Sequence, residues 1–319
     1  MNIFILGGCG YIGSVLVNKL LENKKIKIKV LDTIWFGNNL PKNKNLKVIK
    51  GDIRNLDKVS FKKVDAIIHL ANIANDPAVE LDPNLSWNVN VLSTKIILDK
   101  AVKDKVKKII YASSGSVYGI KKEKSVTENL DLKPISTYNK TKMIAERIIL
   151  SYKDKLKIYC VRPATVCGLS PRMRFDVTVN ILTLQALINK KIFVNGGSQI
   201  RPNIHIKDLV GVLEFFLFSK NAKTGIYNAG FENMSVLDIA KKIKKIIPSK
   251  ILITKNKDLR SYRLNSNKLI KLGFKRNFYV EDAVREIKLL YDKGKLKASD
   301  KNYTVKWLKK LIKNDKVTL

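Results

Sequence analysis

Met1-Asn-Ile-Phe-Ile-Leu-Gly-Gly-Cys-Gly-Tyr-Ile-Gly13 decides the fold. An apolar stretch, Ile3 to Leu6, runs without a linker into glycines at 7, 10 and 13. Gly7 allows a sharp strand-to-helix turn, Gly10 lets the backbone approach a pyrophosphate, and Gly13 lets the helix pack closely on the strand. A diphosphate would then meet the helix N-terminus. Three glycines alone also fit a turn with no ligand. The strand before them, the apolar helix after them and an acid at the expected distance favour a dinucleotide site. That acid is Asp32, which ends a second apolar strand, Ile26 to Leu31. A carboxylate there accepts hydrogen bonds from an adenosine ribose diol and repels a 2′-phosphate, which favours NAD over NADP. Asp is also a common turn residue, so a purely local role stays open.

Outward from this start, strand and helix signals alternate to about residue 160. Apolar strands are expected at 2–6, 26–31, 46–50, 64–70, 106–112 and 156–161, with helical patterns at 13–23, 85–103 and 136–153. The pattern predicts an α/β fold, a Rossmann-type doubly wound parallel sheet. After Gly168 it changes to a helix near 175–190, a strand at 191–194, an apolar helix to 219, a strand near 225–229 and a helix at 235–247. Lys-rich amphipathic helices are expected over 280–313. Residues 1–168 are expected to form the dinucleotide-binding domain and 169–319 mainly a smaller substrate lobe, with segments near 205–230 returning to the first domain.

With 319 residues, 45% of them hydrophobic, the chain can bury a large core. No apolar run approaches the roughly 20 residues of a membrane span, and the N-terminus is already the first strand, so a cytoplasmic location is expected. Cys9, Cys160 and Cys167 lack metal spacing, and His69 and His205 are the only histidines. Buried free thiols are expected, and no metal site.

The chemistry concentrates downstream. Tyr138 and Lys142 are four residues apart in Thr-Tyr-Asn-Lys-Thr-Lys-Met143, which puts both on one helical face. The strand Ile109 to Ala112 leads into Ser113-Ser-Gly-Ser-Val-Tyr-Gly119, at the carboxyl end of the sheet where ligands bind.

Together with Gly7-x-x-Gly10-x-x-Gly13, these segments resemble the extended short-chain dehydrogenase/reductase family, and within it the NAD-dependent nucleotide-sugar epimerases and dehydratases. The resemblance implies a Ser114, Tyr138 and Lys142 catalytic set, with Ser113 a competing assignment for the serine. It implies cofactor contacts from Tyr11, Ile12, Asp52, Ile53, Leu70, Ala71 and Asn90, with Asn90 supporting the active-site helix. Asn180, Arg201, Arg260 and Arg263 match the region that grips a nucleoside diphosphate, although each arginine could equally form a surface ion pair. Lys255 stands near a position where many members carry arginine, and Cys167 replaces a usual tyrosine in Arg162-Pro-Ala-Thr-Val-Cys-Gly168. A homodimer is the usual assembly.

In such a site a sugar hydroxyl loses its proton as its carbon gives hydride to nicotinamide. Free tyrosine titrates near 10, but an ammonium about 5 Å away favours the phenolate by about 3 kcal/mol, roughly two pKa units. Tyr138 is thereby expected to act as base near neutral pH, with Lys142 also bonding the nicotinamide ribose and Ser114 holding the substrate oxygen. Dehydratases of the family carry Asp-Glu just after the catalytic hydroxyl, and decarboxylating relatives a Glu. Gly115 and Ser116 stand here, so epimerisation is favoured, with keto-sugar reduction the alternative. A non-catalytic NAD-sensing module would have little need of the set.

The net charge of +35 is the odd feature. Such a balance can bind nucleic acid or anionic membrane. Only ten of the 62 basic residues are Arg, however, and the lysines are spread evenly beside many Asn and Ile. Clustered arginines mark phosphate-reading surfaces more often. A compositional bias of an AT-rich genome is the simpler account, so no nucleic-acid partner and no stable membrane insertion are expected.

Overall fold

The computed structural model describes residues 1–255 and 261–317. Twelve strands are found among them: β1 (Asn2–Leu6), β2 (Lys27–Asp32), β3 (Leu46–Lys50), β4 (Ala66–His69), β5 (Lys108–Ala112), β6 (Lys157–Pro163), β7 (Thr165–Cys167), β8 (Lys191–Asn195), β9 (Ile200–His205), β10 (Gly225–Ala229), β11 (Glu232–Ser235) and β12 (Lys250–Thr254). Seven of them form one parallel sheet in the order β10-β6-β5-β4-β1-β2-β3. The order reverses between β1 and β4, and in an open α/β sheet that switch point is where a crevice opens at the strand ends.

Alternation along each strand sends side chains to opposite faces. Ile3 and Ile5 join a core with Leu16, Val17 and Leu20 of the Tyr11–Leu21 helix and with Leu209, Leu213 and Phe216 of the Ile206–Phe218 helix. Phe4 and Leu6 join the opposite core with Ile97 and Leu98 of the Ser93–Lys103 helix and with Ala145 and Ile149 of the Thr137–Leu150 helix. Helices therefore cover both faces, and the sheet is of the expected Rossmann type. β10 adds the seventh strand beside β6, so the 206–229 segment packs with the sheet. A third core unites the Thr178–Asn189, Val236–Ile246 and Val280–Asp292 helices with β8.

Two departures from the local pattern bear on the site. The helix expected over 85–103 runs without interruption from Pro83 to Lys103, but between its Pro83–Trp87 and Ser93–Lys103 segments the stretch Asn88–Leu92 is wound as a wider π-type turn. Such wide turns often form where a side chain is diverted, and Asn90 lies at its centre. The C-terminal Thr304–Lys313 helix leaves the third core altogether. It buries Leu308 and Leu311 against the sheet face that holds Phe4 and Leu6, while Trp307 donates its indole N–H to the Trp35 carbonyl at 2.6 Å. Each buried leucine contributes about 1.5–3 kcal/mol. Among the described residues no helix is long and apolar enough to cross a membrane.

Candidate functional site

A cleft of about 500 Å³ opens at the carboxyl ends of β1, β2, β4 and β5. Its floor is the glycine turn. Gly7 has φ +83°, and a Cβ on it would lie 2.5 Å from the Ala71 nitrogen; a Cβ on Gly13 would lie 2.5 Å from the Gly7 carbonyl oxygen. Both positions are thus closed to any other residue, and the helix starting at Tyr11 can present its first N–H groups to the cleft. Tyr11 itself is buried, donating its hydroxyl to the Gly168 carbonyl at 2.7 Å.

Asp32 sits at the end of β2 on the same wall. Its two oxygens accept from the Ile34 N–H at 2.8 Å and the Cys9 N–H at 2.9 Å. Burial raises its pKa against those bonds. Two backbone bonds leave lone pairs on the carboxylate for a diol. Asp52 and Ile53 line the cleft beyond it, with Asp52 held by the Arg54 guanidinium at 2.8 Å. Leu70 and Ala71 close the side toward β4.

Ser114, Tyr138 and Lys142 meet at the other end. The Ser136 hydroxyl caps the Thr137–Leu150 helix by accepting from the Asn139 N–H, which fixes where Tyr138 and Lys142 enter the cleft wall. The two serines after β5 both line the cleft, but their hydroxyls have different partners. Ser113 is buried and donates to the Glu146 carboxylate. Ser114 shares a 2.7 Å hydrogen bond with Ser116, whose hydroxyl donates to Asn139 at 2.6 Å. Lys142 is buried, donating to the Ala112 carbonyl at 2.8 Å with its ammonium 4.8 Å from the Tyr111 ring centre.

The electrostatics here differ from the expectation. Burial pushes the Tyr138 phenol up to about 12, and the Asp76 charge adds to the rise. Arg174 and hydrogen bonds with Ser114 and Asn72 pull the other way, whereas Lys142 is not among the governing influences. Burial also pushes Lys142 down to about 7, against the opposing charge of Glu146. Without ligands, desolvation outweighs the charge pairing that spacing alone suggested.

Other expected residues fall away from the cleft. Asn90 is buried behind it, bonding both Ile73 backbone groups and the Thr141 hydroxyl, so it braces the catalytic helix and does not line the cofactor wall. Asn180 is likewise buried. Its carboxamide accepts from the Gly168 N–H and donates to the Tyr11 hydroxyl and the Arg174 carbonyl, which occupies it in shaping the loop after β7. Arg263 lines a separate depression with Lys124, Asn233 and Asn265, so the structure does not bring it to the cleft. Arg260, with Asp258, lies outside the described residues. Arg201, from β9, does line the cleft, together with Tyr262.

Sequence reasoning missed Asn72, Asp76, Arg172, Arg174 and Asp176, all on the cleft wall. The dense Arg172-Met-Arg174-Phe-Asp176 cluster, in a chain with few arginines, was the available signal.

For NAD the fit is favourable: a turn whose Gly7 and Gly13 admit no Cβ, an acid with free lone pairs, and, among the described residues, two buried polar atoms on the cleft wall without a partner, Asn72 Oδ1 and Arg172 Nε. Gly7, Gly10, Tyr11, Ile12, Gly13 and Asp32 all line the cleft and would hold it.

The comparisons with known proteins agree. A UDP-glucose 4-epimerase of Lactobacillus helveticus is 28% identical over 274 residues, 77% of this chain and 82% of that protein. A dTDP-D-glucose 4,6-dehydratase of Dictyostelium discoideum is 31% identical over 77% of this chain and 62% of that protein. The solved UDP-glucuronic acid 4-epimerase of Bacillus cereus, in complex with UDP-glucuronic acid and NAD, superposes with a TM-score of 0.79 at 27% identity, covering 90% of this chain and 97% of that one. The family model for the NAD dependent epimerase/dehydratase family matches residues 3–230. The chain belongs to that family, and NAD is its cofactor.

Proposed function

We infer that the protein epimerises a nucleoside-diphosphate sugar through a transient keto-sugar, at C4 of the ring. The observation that carries this reading is the meeting of Ser114, Tyr138 and Lys142 in the cleft that holds Asp32, with Gly115 and Ser116 where a dehydratase would need acids. Position 115 is also tight: a Cβ there would lie 3.1 Å from the Pro163 carbonyl oxygen. Ser116 is occupied with Ser114 and Asn139. Relatives named as 4-epimerases support the choice of carbon.

In this mechanism Tyr138 takes the proton of a ring hydroxyl whose oxygen Ser114 holds. NAD, when bound, supplies a hydride acceptor that returns the hydride it took and brings the positive charge of its oxidised ring. That positive charge tips Tyr138 toward the phenolate, and Lys142, on the same helical face, bonds the nicotinamide ribose. The keto-sugar turns over in the pocket, so that the hydride returns to the opposite face of the ring carbon while Tyr138 gives the proton back to its oxygen. Arg201, which lines the cleft, holds the substrate diphosphate in this reading, its planar fork suiting parallel acceptors. A homodimer in the cytoplasm belongs to the same reading.

The test incubates the protein with a panel of nucleoside-diphosphate hexoses and hexuronates and follows product mass and proton NMR. Unchanged mass with inverted ring couplings supports epimerisation. A product lighter by one water would move the chemistry to a dehydratase with Asp76 as the cleft acid. Stoichiometric NAD(P)H consumption with a keto-sugar, and no epimer from any substrate, would make it a reductase.

A further inference from the structure

Arg172 is a buried cation without a counterion. It is 6% exposed and lines the cleft, yet among the described residues no carboxylate lies within ion-pair distance of it. The charges of Asp176 and Asp32 act on it only from beyond ion-pair distance. Asp176 takes the Arg174 Nε at 2.8 Å and the Thr304 N–H at 2.8 Å. Asp32 takes the backbone N–H groups of Cys9 and Ile34. Among the described residues only Thr304 Oγ1 receives a bond from Arg172 Nη2, a long one at 3.3 Å, and Nε has no partner. Burial and the neighbouring Arg174 push its pKa down to about 9. A guanidinium taken out of water and left without an ion-pair partner is destabilising, so its place in the fold calls for an anion that arrives with a ligand.

The surroundings say which anion. The Arg172 guanidinium stacks on the Phe36 ring with its carbon 4.0 Å from the ring centre, and its charge acts on both Asp32 and Tyr11. It therefore lies within electrostatic reach of the ribose-binding acid and of the first residue of the glycine-cradled helix, whereas the arginine whose charge acts on Tyr138 is Arg174. The arginine suited to the substrate's diphosphate, Arg201, comes from a different strand, β9. Behind Arg172 the C-terminal helix holds it in place. Thr304 touches it, Leu308 lines the same cleft, and Trp307 ties the helix to the loop that carries Phe36.

We propose that Arg172 clamps the NAD diphosphate from the side opposite the Gly7–Gly13 turn, held against Phe36 and Thr304 by the C-terminal helix. The helix N-terminus and the guanidinium then grip the anion from two directions, and binding the cofactor removes the cost of the unpaired charge. Tight retention suits a cofactor that need not leave between turnovers. The proposal concerns NAD binding alone and holds whichever reaction the sugar undergoes.

The test compares full-length wild type with Arg172→Met by titration calorimetry against NAD, ADP, AMP, NADP and UDP, and by thermal unfolding without ligand. The expected result is NAD and ADP binding weakened by about tenfold or more, UDP within twofold of wild type, AMP affected less than ADP, and a ligand-free midpoint that is not lowered. A merely structural arginine would instead lower that midpoint and leave the ADP to AMP contrast unchanged. Unchanged NAD affinity would overturn the proposal. So would a loss confined to UDP, which would hand Arg172 to the substrate, or one confined to NADP, which would hand it to a 2′-phosphate. If Arg172→Met does not fold, Arg172→Lys carries the test, since it keeps the charge and loses the fork; wild-type NAD affinity in that variant would overturn the clamp. Failure of wild type itself to bind NAD would strike the cofactor assignment, a different result from equal binding by both proteins.

Discussion

Arg162 and Glu146 face each other between β6 and the catalytic helix, with Nη2 2.6 Å from Oε2 and both side chains 2% exposed. Around them the network is complete: Glu146 also accepts from Ser113, and Arg162 donates to the Tyr118 hydroxyl at 2.7 Å, which donates to Asn228 at 2.8 Å. The pair thus ties the helix carrying Tyr138 and Lys142 to three strands of the sheet. Removing one partner leaves a buried charge uncompensated. Arg162→Met should cost about 3–5 kcal/mol in urea unfolding; a loss below about 1 kcal/mol would show that the pair contributes little.

Cofactor choice rests on Asp32. NAD should bind at least tenfold more tightly than NADP, a gap of about 1.4 kcal/mol, because a 2′-phosphate would meet a buried carboxylate. Equal affinities by calorimetry would remove this role from Asp32.

Tyr138→Phe takes away one hydroxyl from the cleft wall. NAD binding and the unfolding midpoint should stay close to wild type while turnover falls by about two orders of magnitude or more. Since burial holds the ligand-free phenol near 12, wild-type turnover should climb with pH on the acid side of its profile. Near-normal turnover in the variant would sink the assignment.

Lys142 gives a stability prediction with a definite sign. Its folded pKa of about 7 lies below the ordinary 10.5, so between these values the unfolded chain holds a proton that the folded chain has released. Stability from this group is therefore gained as pH rises from about 7 toward 10.5 and is lost as pH falls through about 7. Lys142→Met should flatten that part of the curve and raise the ligand-free midpoint at pH 6, while abolishing most turnover. An unchanged slope between pH 7 and 10 would contradict the burial of an ionisable amine there.

The C-terminal helix sets docking against membrane binding. With Leu308 and Leu311 buried and lysines 309, 310 and 313 on its exposed side, truncation before Thr304 should lower the unfolding midpoint and weaken NAD binding, since Thr304 and Leu308 line the cleft. Salt-sensitive binding of the full chain to anionic vesicles, lost on truncation, would show that the apolar face is available to lipid.

Much of this molecule was legible without coordinates because its decisive features lie within single elements. Strand periodicity and the glycine spacing specify the parallel sheet and its turn. Asp32 follows from its place at a strand end, and Tyr138 with Lys142 from four-residue spacing on one helix. Only the tertiary structure decided what depends on distant segments meeting. Arg172 lies beside Phe36 and Thr304, contacts more than a hundred residues away in each direction, and no local periodicity encodes such a meeting. The same holds for Asn180 turning inward to Tyr11, for Arg263 facing another depression, and for a C-terminal helix that crosses back to the first sheet. The roles of Ser113 and Ser114 differ because the pleat of a strand end sends one hydroxyl to Glu146 and the other to the cleft. The phenol and amine pKa values followed neither residue type nor spacing, because desolvation is set by how much protein surrounds a group, and that quantity exists only in the folded chain.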